Sequence, residues 1–383
     1  MTKVTNGNGK RSSSTRQAKS GRRKAIVATR RPPTPLKVNG AKPALLPRCI
    51  DVKLATLVKS APEGDNWFHE IKFDGYRMVC RIENGRVEFF SRNRKSWTTN
   101  LSYLVSAGTG LPVKQAILDG EVVAFKSCGT TDFQALQNVF SDGRQDQLVY
   151  YVFDLLHLNG MDLRNATLED RKKRLDQIVP MAMQDGPIRF SEHVVGDGPE
   201  FFKRASKLGL EGIISKLRNS TYTAGRSHDW LKVKASQREE FVIGGFTDPG
   251  IREGFGALLL GYYDKNGDLL YAGKVGTGFT DRVLEALRQR LDRLAKPESP
   301  FKDLQKTTGE ARGAHWVKPQ LVGQVAFTEW TRGGHLRHPS FLGLREDKPA
   351  HTVVRDRALA ISKLTKAGSS SHLNASRING RSR

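Results

Sequence analysis

Apolar residues in this chain come in short runs, and the period of each run sets the expected element. Phe68–Phe73 alternates, with Phe68, Glu70 and Lys72 on one face and His69, Ile71 and Phe73 on the other, which predicts a strand. Asp74-Gly75 reads as a turn and Tyr76–Ile82 as a return run, a hairpin-like signal. Strand-like runs recur at Leu118–Val123 and Tyr151–Leu156. Pro199–Leu208 predicts a helix that stops at Gly209, a residue suited to the left-handed C′ position, and Leu210–Leu217 is strand-like again. Beyond Lys234 the texture changes. Phe241–Phe246, Ala257–Tyr263, Leu269–Val275 and Val317–Glu329 predict short strands. Among them Thr280–Ala295 places Val283, Leu284, Leu287, Leu291 and Leu294 at helical spacing. Several short strands and one helix suggest a small closed barrel of the oligonucleotide-binding kind, with a hinge at Ala235–Glu240.

Charge divides the chain differently. The net charge is +24, yet residues 1–50 hold 13 Lys/Arg and no acid, and residues 363–383 hold 5 and none. The middle, residues 51–362, is close to balanced at 45 basic and 39 acidic residues. Basic, Pro- and Ser-rich ends of this kind are expected to be disordered and to add affinity for nucleic acid through counterion release. The expected organisation is a basic arm over 1–42, a mixed domain over 43–236, a barrel domain over 237–358 and a basic tail over 359–383. Cys49, Cys80 and Cys128 show neither zinc spacing nor a disulfide framework, which fits a reducing cytoplasm. No run approaches the length of a membrane helix.

The chemistry lies in the charged residues that interrupt the apolar runs. Lys72 precedes an Asp-Gly turn, and alone it would read as a solvated strand end. Glu121 interrupts an apolar strand, where a carboxylate is costly unless paired or bound to metal. Glu211 opens a strand directly after a helix end. Lys232 and Lys234 share one strand face, opposite Leu231 and Val233. Lys216 stands five positions from Glu211, so strict alternation would put it on the opposite face. Phe153, on pattern alone, is a core aromatic.

The ordered set formed by Glu70-Ile71-Lys72-Phe73-Asp74-Gly75, Leu118-Asp119-Gly120-Glu121, Phe153-Asp154-Leu155-Leu156, Glu211-Gly212-Ile213-Ile214-Ser215-Lys216 and Trp230-Leu231-Lys232-Val233-Lys234 resembles the signature of the covalent nucleotidyltransferases. That superfamily comprises DNA ligases, RNA ligases and capping enzymes. The stretch Glu329–Lys348 narrows the resemblance to ATP-dependent DNA ligases, specifically the ligase module of bacterial DNA ligase D. The resemblance runs from about Pro43 to Arg357.

It implies an α+β fold: a nucleotidyltransferase (ATP-grasp-like adenylation) domain followed by an oligonucleotide-binding β-barrel. It implies Lys72 as the nucleophile toward ATP, with Arg77, Lys232 and Lys234 as neighbouring cations that would lower its pKa. Glu70 would lie near the adenine, Phe153 would stack on it, and Arg92 would lie near the ribose and phosphates. Lys232 and Lys234 would contact the α-phosphate. Glu121 would contact ribose or metal, and Glu211 would help hold Mg²⁺ or Mn²⁺. Arg337, Arg345 and Lys348 would bind the pyrophosphate from the barrel domain. In Ser91-Arg92-Asn93-Arg94, Arg94 stands where the family usually has glycine, which costs stability if that turn needs positive φ. The implied partners are nicked or broken duplex DNA and a Ku-type end-binding protein. A cytoplasmic, nucleoid-associated monomer acting in repair is expected. An RNA ligase or capping-type enzyme, or a non-catalytic DNA-binding protein of the same fold, stays open as an alternative.

Overall fold

The structure is a computed structural model that describes residues 38–361 except 128, 180–184, 250–253, 305–308 and 312. Most of the expected basic arm and tail, and Cys128, lie outside the described residues. Residues 38–42, which the sequence assigned to the arm, belong to the fold: Lys42–Pro43 pairs with Met161–Asp162, and Val38 and Ala41 pack on the core.

Two sheets face one another. The first runs in the order Lys42–Pro43, Met161–Asp162, Val149–Leu158, Gln115–Val123, Tyr76–Glu83, Arg86–Ser91, with Ile188–Phe190 added in parallel to Val149–Leu158. The pleat sends Tyr76, Met78, Cys80 and Ile82 to a core capped by Leu104, Phe133, Leu136 and Leu175 from three helices, Ser102–Gly108, Phe133–Asp142 and Leu168–Ile178. The opposite pleat sends Arg77 and Val79 toward the second sheet, beside Ile117, Asp119 and Glu121. Within Val149–Leu158 the register slips between Asp119↔Asp154 and Gly120↔Val152. Phe153 is the extra residue of this bulge, which re-aims it into the space between the sheets.

The second sheet runs Val194–Val195, Trp67–Ile71, Gly212–Leu217, Gly225–Lys234, Lys53–Leu57, its last pair parallel. One face packs Ile213, Leu231 and Val233 on Phe201 and Ala205 of the helix Gly198–Lys207. That helix ends as the sequence predicts, with Gly209 at φ +70°. The other face lines up Glu70, Ile214 and Lys232 in one cross-strand row and Phe68, Lys216 and Trp230 in the next.

The expected hairpin at Asp74-Gly75 is not one. Trp67–Ile71 belongs to the second sheet and Tyr76–Glu83 to the first, so these residues carry the chain from sheet to sheet. Gly75 is needed for close approach rather than for a turn: a Cβ there would sit 2.2 Å from the Val122 carbonyl oxygen.

The third sheet follows after three linking residues, 235–237; Arg238–Glu240, expected in the hinge, are already strand. Its order is Leu269–Val275, Leu258–Tyr263, Arg238–Thr247, Ala314–Ala326, Ala295–Lys296, with Ser340–Leu344 also on Ala314–Ala326. The helix Asp281–Arg293, capped by Thr280, buries Leu287 and Leu291 against it. The expected closed barrel is not reached. No strand ladder joins Ser340–Leu344 to Leu269–Val275. Among the described residues Thr277 bridges the gap: its carbonyl accepts from Phe341 N–H at 2.9 Å and its hydroxyl donates to the Pro339 carbonyl at 3.1 Å. No helix among the described residues is long and apolar enough to cross a membrane.

If Gly75 is fixed by the crossing between sheets, Gly75→Ala should destabilise the protein by about 1–3 kcal/mol. Urea unfolding measures this, and a wild-type midpoint would show that the Val122 backbone can retreat.

Candidate active site

The cleft between the first and second sheets is closed on its open side by the third. Glu240, Arg345, Asp347 and Lys348 line the same pocket as Lys72. The third sheet is held there by Asn93 Nδ2 donating to the Asp347 carbonyl at 2.8 Å and Arg238 paired with Asp74 at 2.6 Å. The Tyr76 hydroxyl also reaches the Leu344 carbonyl at 3.3 Å. Eight cationic and four carboxylate side chains line the pocket, an excess suited to a polyphosphate.

Lys72 emerges just past the end of the Trp67–Ile71 strand, its N–H held by the Gly212 carbonyl at 3.0 Å. Its ammonium is paired with Glu211. Burial opposes its charge, but Glu211, Asp74 and Glu121 outweigh that and hold its pKa above the ordinary lysine value. The sequence expectation was the reverse, a pKa lowered by neighbouring cations. The reason is that each of those cations already has a partner of its own. Arg77 forms a two-pronged pair with buried Asp119, Nε to Oδ1 at 2.7 Å and Nη2 to Oδ2 at 2.6 Å. Lys232 pairs with Asp356 at 2.6 Å, and the Lys234 ammonium donates to the Arg238 carbonyl at 2.7 Å. Lys232 lines the pocket; Lys234 stands behind it.

The expected base end of the pocket is aromatic and tightly bonded. Phe153 meets Trp230 edge-on at 6.0 Å, with the Arg77 guanidinium 4.8 Å from its ring centre. Lys216, placed by alternation on the far face, is here instead. Its ammonium lies 4.3 Å from both ring centres and 2.9 Å from Glu70 Oε2. Glu211 precedes the Gly212–Leu217 strand, so parity counted from it misleads; Ile214 and Lys216 set the pocket face. Burial presses the Lys216 pKa down to about 8 against the pull of Glu70. The Glu70 carboxylate, also bonded to Lys172 at 2.8 Å and the Ser191 hydroxyl at 2.9 Å, is fully engaged by protein groups.

Arg92 lines the pocket and forms no ion pair among the described residues; burial lowers its pKa. Arg94 does adopt φ +64°, so the left-handed turn that favours glycine carries an arginine, stabilised in part by its 2.6 Å pair with Asp51.

Of the three expected pyrophosphate cations, two are in the pocket. Arg345 forks onto Asp347, and Lys348 pairs with Glu240 at 2.6 Å. Arg337 is not in the pocket. It sits in the exposed ribbon of Glu329–Trp330 and Leu336–Arg337, paired with Glu329 at 2.7 Å.

A divalent cation has a plausible donor set. Glu211 Oε2 is buried with no hydrogen-bond partner among the described residues, and Glu121 lines the pocket. Burial raises the Glu121 pKa to about 8 despite Arg77, Lys72 and Arg345. No group of three ligating side chains forms a protein-only cage among the described residues. Two hard oxygen donors beside a phosphate pocket fit Mg²⁺ or Mn²⁺, which take one or two carboxylates and complete their shell with substrate oxygens and water.

Sequence comparison agrees with this geometry. Residues 51–234 match the family model described as the ATP dependent DNA ligase domain, and residues 251–348 match the ATP dependent DNA ligase C terminal region. The chain is 43% identical over 336 residues to the multifunctional non-homologous end joining protein LigD of Pseudomonas aeruginosa, covering 87% of this chain and 39% of that protein. It is 37% identical over 297 residues to the LigD of Mycobacterium tuberculosis H37Rv, covering 77% of this chain and 38% of that one. The chain thus spans about two fifths of these relatives. A solved structure of mycobacterial DNA ligase D complexed with ATP and MES superposes with a TM-score of 0.59 at 36% identity, covering 79% of this chain and 97% of that one.

Removing the Glu211 charge should leave burial of Lys72 less opposed, so Glu211→Gln should lower the Lys72 pKa. Competitive acylation across pH 7–11 reads this directly: the Lys72 profile should move to lower pH, and an unmoved profile would contradict the pairing. The two matched models, the 97% coverage of the solved ligase structure and the lysine pocket together establish that the chain belongs to the ATP-dependent DNA ligase family.

Proposed function

We propose that this chain seals nicks or breaks in duplex DNA through a lysine–AMP intermediate. The observation that carries the reading is the pocket itself: one lysine at a sheet-to-sheet crossing, facing an excess of cations and an aromatic end wall. In the first step the Lys72 amine attacks the α-phosphorus of ATP, forming an N–P bond while the P–O bond to pyrophosphate breaks. The AMP then moves to a DNA 5′-phosphate, freeing the lysine nitrogen. Finally a 3′-hydroxyl attacks that phosphate, forms the phosphodiester and expels AMP.

The ammonium must lose a proton before it can attack, and Glu211, Asp74 and Glu121 oppose that loss. Lys232, with Lys234 behind it, is assigned to the α-phosphate; Arg345 and Lys348 are assigned to the pyrophosphate; and Arg92 is assigned to the ribose and phosphates. Phe153 is assigned to the adenine. Glu70 acts through its backbone, since its carboxylate is occupied. Arg77 is assigned to hold the wall around Phe153. Glu121 and Glu211 would hold Mg²⁺ or Mn²⁺, which supplies charge neutralisation to the phosphates. Membership of the DNA ligase family and likeness to end-joining proteins support DNA rather than RNA, and suggest repair of double-strand ends beside a Ku-type partner. The residues divide into a catalytic domain ending near 236 and an oligonucleotide-binding domain beyond it.

With α-labelled ATP and a divalent cation the chain should acquire acid-labile AMP, and Lys72→Ala should acquire none. Labelling that persists in Lys72→Ala would sink the assignment of the nucleophile, and a wild-type chain that never labels would favour a binding protein. Nicked DNA and nicked RNA, assayed side by side, separate the ligase classes.

Lys348 is a test of the third sheet. Lys348→Ala should not form the lysine–AMP intermediate yet should seal a nick supplied with a pre-adenylated 5′-phosphate, because pyrophosphate is absent from the later steps. Normal labelling would mean that the pair with Glu240 is its whole role.

A further inference from the structure

The segment that leaves the third sheet ends on the nucleotide pocket. The match to the ligase C-terminal region stops at Lys348. The chain then makes one turn, Ala350–Thr352, and runs extended. Its first residues belong to the third sheet: Tyr263 N–H donates to the Val353 carbonyl at 2.8 Å, and the Arg355 guanidinium lies 3.8 Å from the centre of the Trp330 ring. A few residues later it belongs to the second sheet. Leu359 N–H donates to the Leu57 carbonyl and Lys59 N–H to the Leu359 carbonyl, both at 3.0 Å, and Ile361 packs on the cluster of Val58, Ile213 and Leu231. The segment therefore covers the edge of the Lys53–Leu57 strand, which would otherwise present unpaired backbone groups.

Asp356 lies between these two anchors. Its carboxylate takes the Lys232 ammonium at 2.6 Å and the Arg226 guanidinium at 3.3 Å. Both cations line the pocket. Asp356 keeps 23% exposure, whereas the Asp119 and Glu211 carboxylates are 0% and 5% exposed. A partly solvated pair on an extended segment exchanges more readily than a pair locked between sheets.

We propose that residues 353–361 are an autoinhibitory strap, in which Asp356 occupies Lys232 and Arg226 until the phosphates of ATP displace it and the strap leaves the sheet edge. The inference rests on the reading of the pocket as an ATP site. A phosphate and Asp356 compete for one ammonium, so ATP that loosens the strap is itself weakened by the strap, by the same factor.

The test compares the full-length wild type with Asp356→Asn and Leu359→Pro. ATP binding is read by equilibrium titration in EDTA, and labelling of Lys72 with a divalent cation is the control. Asp356→Asn keeps the shape of the side chain and removes its charge, and should bind ATP about fivefold more tightly. Leu359→Pro removes the N–H that Leu57 accepts, keeps the carboxylate, and should tighten binding in the same direction. A misfolded variant would not gain affinity. Unchanged or weaker binding by Asp356→Asn, with labelling intact, overturns the proposal and makes Asp356 a positioning group for Lys232. Tighter binding by Asp356→Asn alone, with Leu359→Pro folded and unchanged, overturns the coupling to the strap. A wild type that neither binds ATP nor labels defeats the ligase reading itself, and the strap with it.

Discussion

The site depends on one constraint: a charge withdrawn from water needs a partner, and this pocket withdraws many at once. In this structure the partners are carboxylates. Lys72 has Glu211, Arg77 has Asp119, Lys216 has Glu70, Lys232 has Asp356, Lys348 has Glu240, and Arg345 has Asp347. These pairs are not equivalent. Asp119 and Glu70 are buried within the sheets and bonded by further groups, Tyr222 at 2.6 Å in one case and Ser191 with Lys172 in the other. Removing one member of such a pair strands the other in a dry interior at about 3–5 kcal/mol. Glu240 and Asp356 retain 28% and 23% exposure and can return to water when a phosphate replaces them. The buried pairs build the pocket, and the exposed pairs keep its cations in place for a ligand.

The two facing sheets make this arrangement possible with short-range rules. A period of two puts Arg77, Asp119 and Glu121 on one inner face, and Glu70, Lys216 and Lys232 on the other. Arg77 stands directly opposite Glu121 in the ladder but bonds diagonally to Asp119. Burial then raises the Glu121 pKa to about 8 although Arg77, Lys72 and Arg345 oppose the rise. A carboxyl held in that way is costly unless a cation offsets its burial.

Much of this was legible in the sequence, and the failures have identifiable causes. The strands, the helix stop at Gly209 and the amphipathic helix after Thr280 follow from local pattern and are found where expected. The Asp74-Gly75 turn was misread because hairpins and sheet-to-sheet crossings use the same residues; only the partner strands distinguish them. Lys216 was misplaced because alternation was counted from Glu211, a residue outside the strand. The raised Lys72 pKa was not legible from its cationic neighbours, since the acids that neutralise Arg77 and Lys232, namely Asp119 and Asp356, stand 42 and 124 positions away from them. Sequence patterns identify which residues carry charge. Long-range packing decides which charges are free.

The same distinction bears on the third sheet. Glu240 and Asp347 stand on the same unit as their partners Arg345 and Lys348, so these pairs fix the third sheet's own cations at the pocket. What crosses from the third sheet to the first includes the Arg238 pair with Asp74, the Asn93 bond to the Asp347 carbonyl, and the packing of Leu342 on the first sheet's core. Parting the two would break a charge pair and uncover apolar surface together, so charge and packing both keep the third sheet and the cations it carries at the pocket.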